Sequence, residues 1–325
     1  MARVVLVTGV STPLAAGVAR SLSGVSGVRR VIGADSSPPA PGSEGFEFAH
    51  VDLHEESLAR IVADSGADLV LHLGLDTERG PNRENHVLGT VRMLSALRHT
   101  EGVQRLVVRA GVTLDSDDAA QVAEHTRALQ RRRPEMSVAV LRFANLIGPS
   151  VDTPLTRYLD QRVVPTALGS DPHVRFLHED DAAEALVRMA FSEQDGLFDV
   201  AGADTVPLSH CLRRVGGQRL PVPARGLDVL RRAAKRGRID YASLSAKRAV
   251  HAAVSGRSMD TGSLEHALGW SPSYSSAQAL EHYAGVRGRG RGRPARRGRA
   301  HITRGHGLRP IHVLALARAT LGRSD

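Results

Sequence analysis

The sequence predicts an α/β fold: a doubly wound parallel sheet with a smaller, irregular C-terminal lobe and a disordered basic tail. Three observations carry this. Short β-branched runs alternate with longer amphipathic stretches through the first 150 residues, the rhythm of strand–helix–strand units covered on both faces. After Gly148-Pro149 that rhythm is broken by Pro154, Pro165, Pro172, Pro207, Pro221 and Pro223, as loops and helices capping a sheet edge require. From Arg287 the chain alternates Arg and Gly without any apolar period, so it has nothing to bury. The expected organisation is a sheet domain over 1–150, a smaller lobe packed on it over 151–285, and a tail over 286–325.

The elements follow in order. Arg3-Val-Val-Leu-Val-Thr8 is β-branched and ends in Gly9, which suits a buried parallel strand better than the secretory leader that Met1 to Ala19 superficially imitates. Further strands are predicted near Val28 to Gly33, Glu47 to Val51, Asp68 to Leu73, Arg105 to Arg109 and Ser137 to Arg142. Between them, the best helix runs from Asn82 to Arg98, with Val87, Val91, Leu94 and Leu97 at helical spacing and Leu88 beside them, a stripe read as core. A second is predicted over Ser116 to Arg131. Helix Asp180 to Phe191, strand Gly196 to Ala201 and helix Thr261 to Leu268 complete the fold, with Gly269-Trp270-Ser271-Pro272 as the stop. Residues 286–309 read as disordered, and 310–322 as a short helix.

Length and composition bound the function. With 325 residues, 42% of them hydrophobic, the chain can bury a large core. Its single cysteine, Cys211, forms no internal disulfide, which makes a structural thiol and a cytoplasmic setting the expectation. No apolar run reaches the roughly 20 residues of a membrane span, so no membrane partner is expected. The +9 net charge is not spread over the fold: Val286 to Asp325 holds eleven Arg and one Asp, a net +10, which leaves residues 1–285 at −1. A flexible Arg/Gly strand attracts nucleic acid non-specifically through phosphates. It carries no interleaved aromatics to stack on bases, and a solubilising or functionless extension is the competing reading.

A pyrophosphate is held where a strand turns sharply into a helix, because glycine lets the backbone approach while free N–H groups face the anion. Thr8-Gly9-Val10-Ser11-Thr12-Pro13-Leu14-Ala15 stands at such a turn. A carboxylate, Asp35, ends the second strand 26 residues after Gly9, where it accepts hydrogen bonds from ribose hydroxyls and repels a 2′-phosphate. NAD is therefore expected in preference to NADP. The competing readings are a strand-to-helix turn without a ligand and a solvated strand-end acid.

These segments, with Leu141-Arg142-Phe-Ala-Asn145-Leu-Ile-Gly148-Pro149, Phe176-Leu-His178-Glu-Asp-Asp181-Ala and the late Leu268-Gly269-Trp270 turn, resemble the NAD-dependent epimerase/dehydratase family, the extended short-chain dehydrogenases. The resemblance covers nearly all of residues 1–285 and implies a Rossmann-type fold, with a dinucleotide-binding domain over 1–150 and a substrate-binding lobe over 151–285. It implies cofactor contacts at Thr8, Gly9, Val10, Ser11, Thr12, Pro13, Leu14, Asp35, Asp52, Leu53, Leu73 and Gly74, and a nucleotide or nucleotide-sugar partner near Asn145, Arg175 and His178. It also implies a homodimer through the Asn82–Arg98 and Ser116–Arg131 helices.

The chain departs from the family in two places. Its glycine pattern, Thr-Gly-x-x-Gly-x-x-Gly, reads Thr12 and Ala15 at the second and third glycines. The family's proton-transfer Tyr-x-x-x-Lys is absent, because neither lysine, Lys235 or Lys247, has a tyrosine four residues before it. The family's strand-end Ser/Thr pair falls at Ala110-Gly111, leaving Thr113 as the nearby hydroxyl. Asp118 and His125, seven apart on one predicted helix, offer a rebuilt acid/base pair, and solvated helix charges look the same. No metal is expected, because His173, His178 and the acids 179–181 match no common ligand spacing. The resulting expectation is a dinucleotide-binding protein whose catalysis is impaired or lost. An active oxidoreductase or epimerase with a rebuilt acid/base, and a nucleic-acid binder acting through its tail, remain as alternatives.

Overall fold

A computed structural model of the chain describes residues 3–51, 55–74, 84–111, 116–223 and 259–291. Its centre is a seven-stranded, wholly parallel sheet in the order β11-β6-β5-β4-β1-β2-β3. The strands are β1 (Arg3–Thr8), β2 (Val28–Asp35), β3 (Glu47–His50), β4 (Leu69–His72), β5 (Arg105–Gly111), β6 (Ser137–Phe143) and β11 (Gly196–Val200). Alternation along β1 divides the core between two faces. Val5 and Val7 face α1 (Pro13–Ser23) and α6 (Glu179–Ala190); Val4 and Leu6 face α2 (Glu55–Ser65), α3 (Glu84–Leu97) and α4 (Ser116–Arg132).

The strand order reverses between β1 and β4: β2 and β3 lie to one side of β1, β4, β5, β6 and β11 to the other. At such a switch point the loops leave in opposite directions and open a crevice at the carboxyl ends of the strands. Thr8 and His72, the last residues of β1 and β4, are register partners across it.

A third core forms the smaller lobe from α5 (Pro154–Leu159), α7 (Leu208–Arg214) and α9 (Ser276–Arg291), around Tyr158, Phe176, Leu212, Leu280 and Tyr283. Three two-stranded ribbons frame it: β7 (Asn145–Ile147) with β10 (Phe176–His178), β8 (Val163–Ala167) with β13 (Gln218–Val222), and β9 (His173–Val174) with β12 (Val206–Pro207). The short α8 (Gly262–Leu268) returns to the main core through Leu264, and Gly269 ends it in the left-handed conformation. Cys211 is fully buried in the third core, and burial pushes its thiol up to about 12.

The sequence reading needs three corrections. Leu88, placed in the apolar stripe, is 42% exposed, and the face of α3 that packs is Met93, Leu94, Ala96 and Leu97. The segment after Pro272, given no element, forms α9. That helix runs to Arg291, beyond the boundary at 285, because Arg287 pairs with Asp160 at 3.2 Å and lies over the Tyr283 ring at 5.4 Å. The rest of the Arg/Gly stretch and the 310–322 segment lie outside the described residues. Among those described, no helix is long and apolar enough to cross a membrane.

Candidate functional site

The site grows from the turn after β1. Gly9 has φ +84°, and a Cβ there would collide with the carbonyl oxygen of Gly74, a backbone atom that no rotamer change can move away. The β1 and β4 turns therefore touch backbone to backbone at the switch point. Thr12, standing where the family has its second glycine, closes the turn. Its N–H and its hydroxyl both donate to the Gly9 carbonyl, at 3.0 and 2.8 Å, and its Oγ1 accepts from the Ala15 N–H at 3.4 Å. With Pro13 in the first helical turn, α1 carries its own N-cap. Ala15 and Leu14 are buried in the core, whereas Ser11 and Thr12 are half-buried and Pro13 exposed.

Asp35 ends β2 on the same sheet face as the turn and is 3% exposed. Its Oδ2 accepts the Ser11 N–H at 2.9 Å and its Oδ1 the Ser36 N–H at 2.7 Å. The acid of the second strand and the turn of the first are thus a single hydrogen-bonded unit. Thr8 is fully buried, and its hydroxyl lies 2.8 Å from Nδ1 of His72, whose Nε2 lies 3.2 Å from the Thr90 hydroxyl. Leu73 is also buried, so the Leu73-Gly74 segment presents backbone at the crevice. Asp52 and Leu53 lie outside the described residues, although Val51 before them is pinned by its N–H to the Asp35 carbonyl at 3.0 Å.

The residues that the resemblance places on the substrate side are bound into the protein's own framework. Asn145 donates from Nδ2 to the Arg175 carbonyl at 3.0 Å, and Arg175 donates to the carbonyls of Gly202 and Met259 at 2.9 and 3.0 Å. His178 is fully buried as the N-cap of α6: Nδ1 accepts the Asp180 N–H at 3.1 Å, Nε2 lies 2.8 Å from Nδ1 of His282, and the Tyr274 ring stacks on it at 4.0 Å. Glu179 accepts from the backbone N–H and the hydroxyl of Ser150, and burial raises its carboxyl above the usual range. Its side chain fills the space where a Cβ on Gly148 would stand. Asp181 accepts the Ser273 and Tyr274 N–H groups at 2.9 and 3.0 Å, and burial pushes it up to about 6. Arg142 makes a two-pronged pair with Asp199 at 2.6 and 2.7 Å, and Asp199 also accepts the Asp260 N–H at 2.9 Å.

Of the acid/base candidates, His125 lies on α4 with Nδ1 2.9 Å from the Gln121 carbonyl of its own helix. Thr113 and the Asp118 side chain lie outside what is described. Two residues that sequence reasoning passed over stand at the crevice. In sequence His72 is only part of the β4 end and Arg109 only part of β5; in the fold His72 bridges Thr8 and Thr90, and Arg109 reaches the Leu73 carbonyl with Nη1 at 3.4 Å. A polar cleft of about 570 Å³ between Arg98, Gly102, Arg132 and Glu135 opens at the opposite, amino ends of the strands. There Arg133 already donates to the carbonyls of Leu97, the last residue of α3, and of Thr100 just beyond it, and the cleft is not part of this site.

No protein-family model matches the chain. The uncharacterized protein Rv0501 of Mycobacterium tuberculosis is 30% identical to it, over 89% of this chain and 84% of that protein, and Mb0513 of Mycobacterium bovis matches equally. Among solved structures, UDP-glucose 4-epimerase from Thermotoga maritima, solved with UDP-glucose, aligns with a TM-score of 0.64 at 16% identity, over 88% of this chain and 99% of that one. The UDP-glucuronic acid 4-epimerase of Bacillus cereus, solved with NAD, gives 0.63 at 14%, over 88% and 99%. The dTDP-glucose 4,6-dehydratase DesIV of Streptomyces venezuelae gives 0.63 at 18%, over 89% and 98%. The chain belongs to one family with the mycobacterial Rv0501 and Mb0513 proteins, and its fold is that of the NAD-dependent epimerases and dehydratases, the extended short-chain dehydrogenases.

Proposed function

We propose that the protein binds NAD across the switch point, with a nucleotide-sugar as its second ligand, and has lost most or all of the family's hydride-transfer activity. The observation that carries the first part is Asp35: a carboxylate at the end of β2, hydrogen-bonded to Ser11 of the turn, is the group that selects ribose hydroxyls over a 2′-phosphate. In this reading Asp35 holds the adenosine ribose and the Gly9–Leu14 turn lies beside the pyrophosphate, with fewer N–H groups to offer it than a glycine-rich turn has, since those of Gly9, Ser11 and Thr12 are bonded within the protein and Pro13 has none. Thr12 narrows that turn and lowers affinity. NAD supplies hydride acceptance when bound.

The loss of catalysis rests on the missing Tyr-x-x-x-Lys. Without a tyrosine whose proton affinity is lowered by a neighbouring ammonium, no group of that kind takes the proton from a sugar hydroxyl. A ligand-sensing or scaffolding role follows. The test is calorimetric titration of the full chain with NAD and NADP, alongside a turnover assay with UDP- and dTDP-sugars. Micromolar NAD binding, much weaker NADP binding and no turnover are expected. Ordinary turnover rates would overturn the lost-activity reading, and absence of NAD binding the cofactor reading.

A further inference from the structure

Two helices end at the amino-end rim of the sheet. α3 closes at Leu97 and leads through residues 98–104 into β5, and α4 closes at Arg132 and leads through 133–136 into β6. Between these loops lies the polar cleft of about 570 Å³, whose charged lining is Arg98, Glu101, Arg132, Arg133 and Glu135, with His99 beside them. Both loops are described throughout.

Helix C-termini present carbonyl oxygens and attract cations, so an arginine that satisfies those carbonyls needs no ligand to explain it. Arg133 is of this kind. It donates to the carbonyls of Leu97 and Val103, each at 3.2 Å, and to that of Thr100, while its Nε pairs with Glu135. The Thr100 hydroxyl donates to the Ala96 carbonyl at 2.9 Å, and the Arg133 N–H to that of Leu129 at 2.8 Å. Arg98 and Arg132 are left over. Neither makes a side-chain hydrogen bond or ion pair among the described residues, and Nε of Arg98 is buried without a partner. A buried donor without a partner costs free energy that a bound acceptor offsets. With Arg133 and Glu135 cancelling each other, the guanidinium groups of Arg98 and Arg132 face only the carboxylate of Glu101.

We propose that this cleft is a second ligand site, which takes the phosphate group of a small phosphorylated molecule between Arg98 on one bank and Arg132 on the other. A planar guanidinium fork matches two oxygens of a phosphate, and excess positive charge in a recess concentrates anions. The volume is that of small-molecule sites in general. The cleft lies at the opposite end of the sheet from the switch-point crevice, so this site stands or falls independently of the dinucleotide reading.

The experiment is calorimetric titration of the full chain with inorganic pyrophosphate, for the wild type and for R98M, R132M, E101Q and R131M. Arg131 is exposed, next to Arg132 in the chain and outside the lining of the cleft, so R131M removes the same charge without touching the site. R98M and R132M should each weaken pyrophosphate binding at least about tenfold, and R131M less than about twofold. E101Q should tighten it about threefold or more, a gain that damage to the fold does not produce. Pyrophosphate held by the Arg/Gly tail or by the Gly9 turn would not respond to these variants. No binding by the wild type at millimolar pyrophosphate, equal losses in R98M, R132M and R131M, or no gain in E101Q overturns the proposal. So does a single-stranded oligonucleotide that loses affinity in R98M and R132M while pyrophosphate does not, since the occupant would then be nucleic acid.

Discussion

The hydroxyl of Thr8 and the ring of His72, 2.8 Å apart and both buried, join the ends of β1 and β4, and the same ring reaches Thr90 of α3 at 3.2 Å. One imidazole thus ties together the two strands that define the switch point and α3, the helix on the face to which both side chains point. His72→Leu fills the same space and leaves the Thr8 hydroxyl buried without this partner. It should cost about 1–3 kcal/mol of unfolding free energy. His72→Asn, which retains a polar atom near Nδ1, should cost less. Urea denaturation measures both, and a loss below about 0.5 kcal/mol in the leucine variant would show that the bond carries little.

Gly9→Ala meets two penalties at once, a positive φ and the backbone carbonyl of Gly74. Because neither is relieved by moving a side chain, the variant should lose about 3 kcal/mol or more. It should also lose any dinucleotide affinity. A variant of near wild-type stability would mean that the β4 turn yields.

Thr12→Gly restores the family residue. It removes the side-chain cap of α1, which costs only a few tenths of a kcal/mol when glycine replaces threonine, and it opens the turn. NAD affinity measured by calorimetry should rise several-fold while stability barely changes. Unchanged affinity would clear Thr12 of blocking the site.

Asp181 titrates near 6 in the folded chain against 3.8 for a free side chain. Since its folded value is the higher, the protonated form is the one that folding favours. Its contribution is therefore full below about pH 4 and is lost as pH rises through about 6. Asp181→Asn removes this dependence. The difference in unfolding free energy between wild type and variant should shift by about 1 kcal/mol across pH 4 to 6.5, after allowance for solvent screening. A flat difference would place the titration elsewhere.

Much of the main sheet could be read from the chain because its information is local. Runs such as Val4 to Val7 alternate between two cores, and Thr12-Pro13 announces a helix start within four residues. What escaped reading is long-range. The Thr8–His72 bond spans 64 residues and the reach of Arg109 to Leu73 spans 36, so neither leaves a periodic trace. His178 illustrates a second limit. The resemblance puts His178 on the substrate side, and nothing in the local sequence shows that it is a buried helix cap with the Tyr274 ring stacked on it and His282 within hydrogen-bond distance. α9 was missed because its apolar residues, Ala279, Leu280, Tyr283 and Ala284, run into glycines and arginines that dilute the pattern.

If Asp35 selects the cofactor as proposed, its bond to the Ser11 amide makes cofactor choice and turn shape inseparable. Exchanging Asp35 for a neutral or basic residue, the usual route toward a phosphorylated dinucleotide, would here also release a backbone N–H at the heart of the pyrophosphate turn. A lineage drifting toward NADP must first find that amide another acceptor, so the path to new specificity passes through a less stable intermediate. On the NAD reading proposed above, that obstacle alone favours the unphosphorylated coenzyme whatever becomes of catalysis.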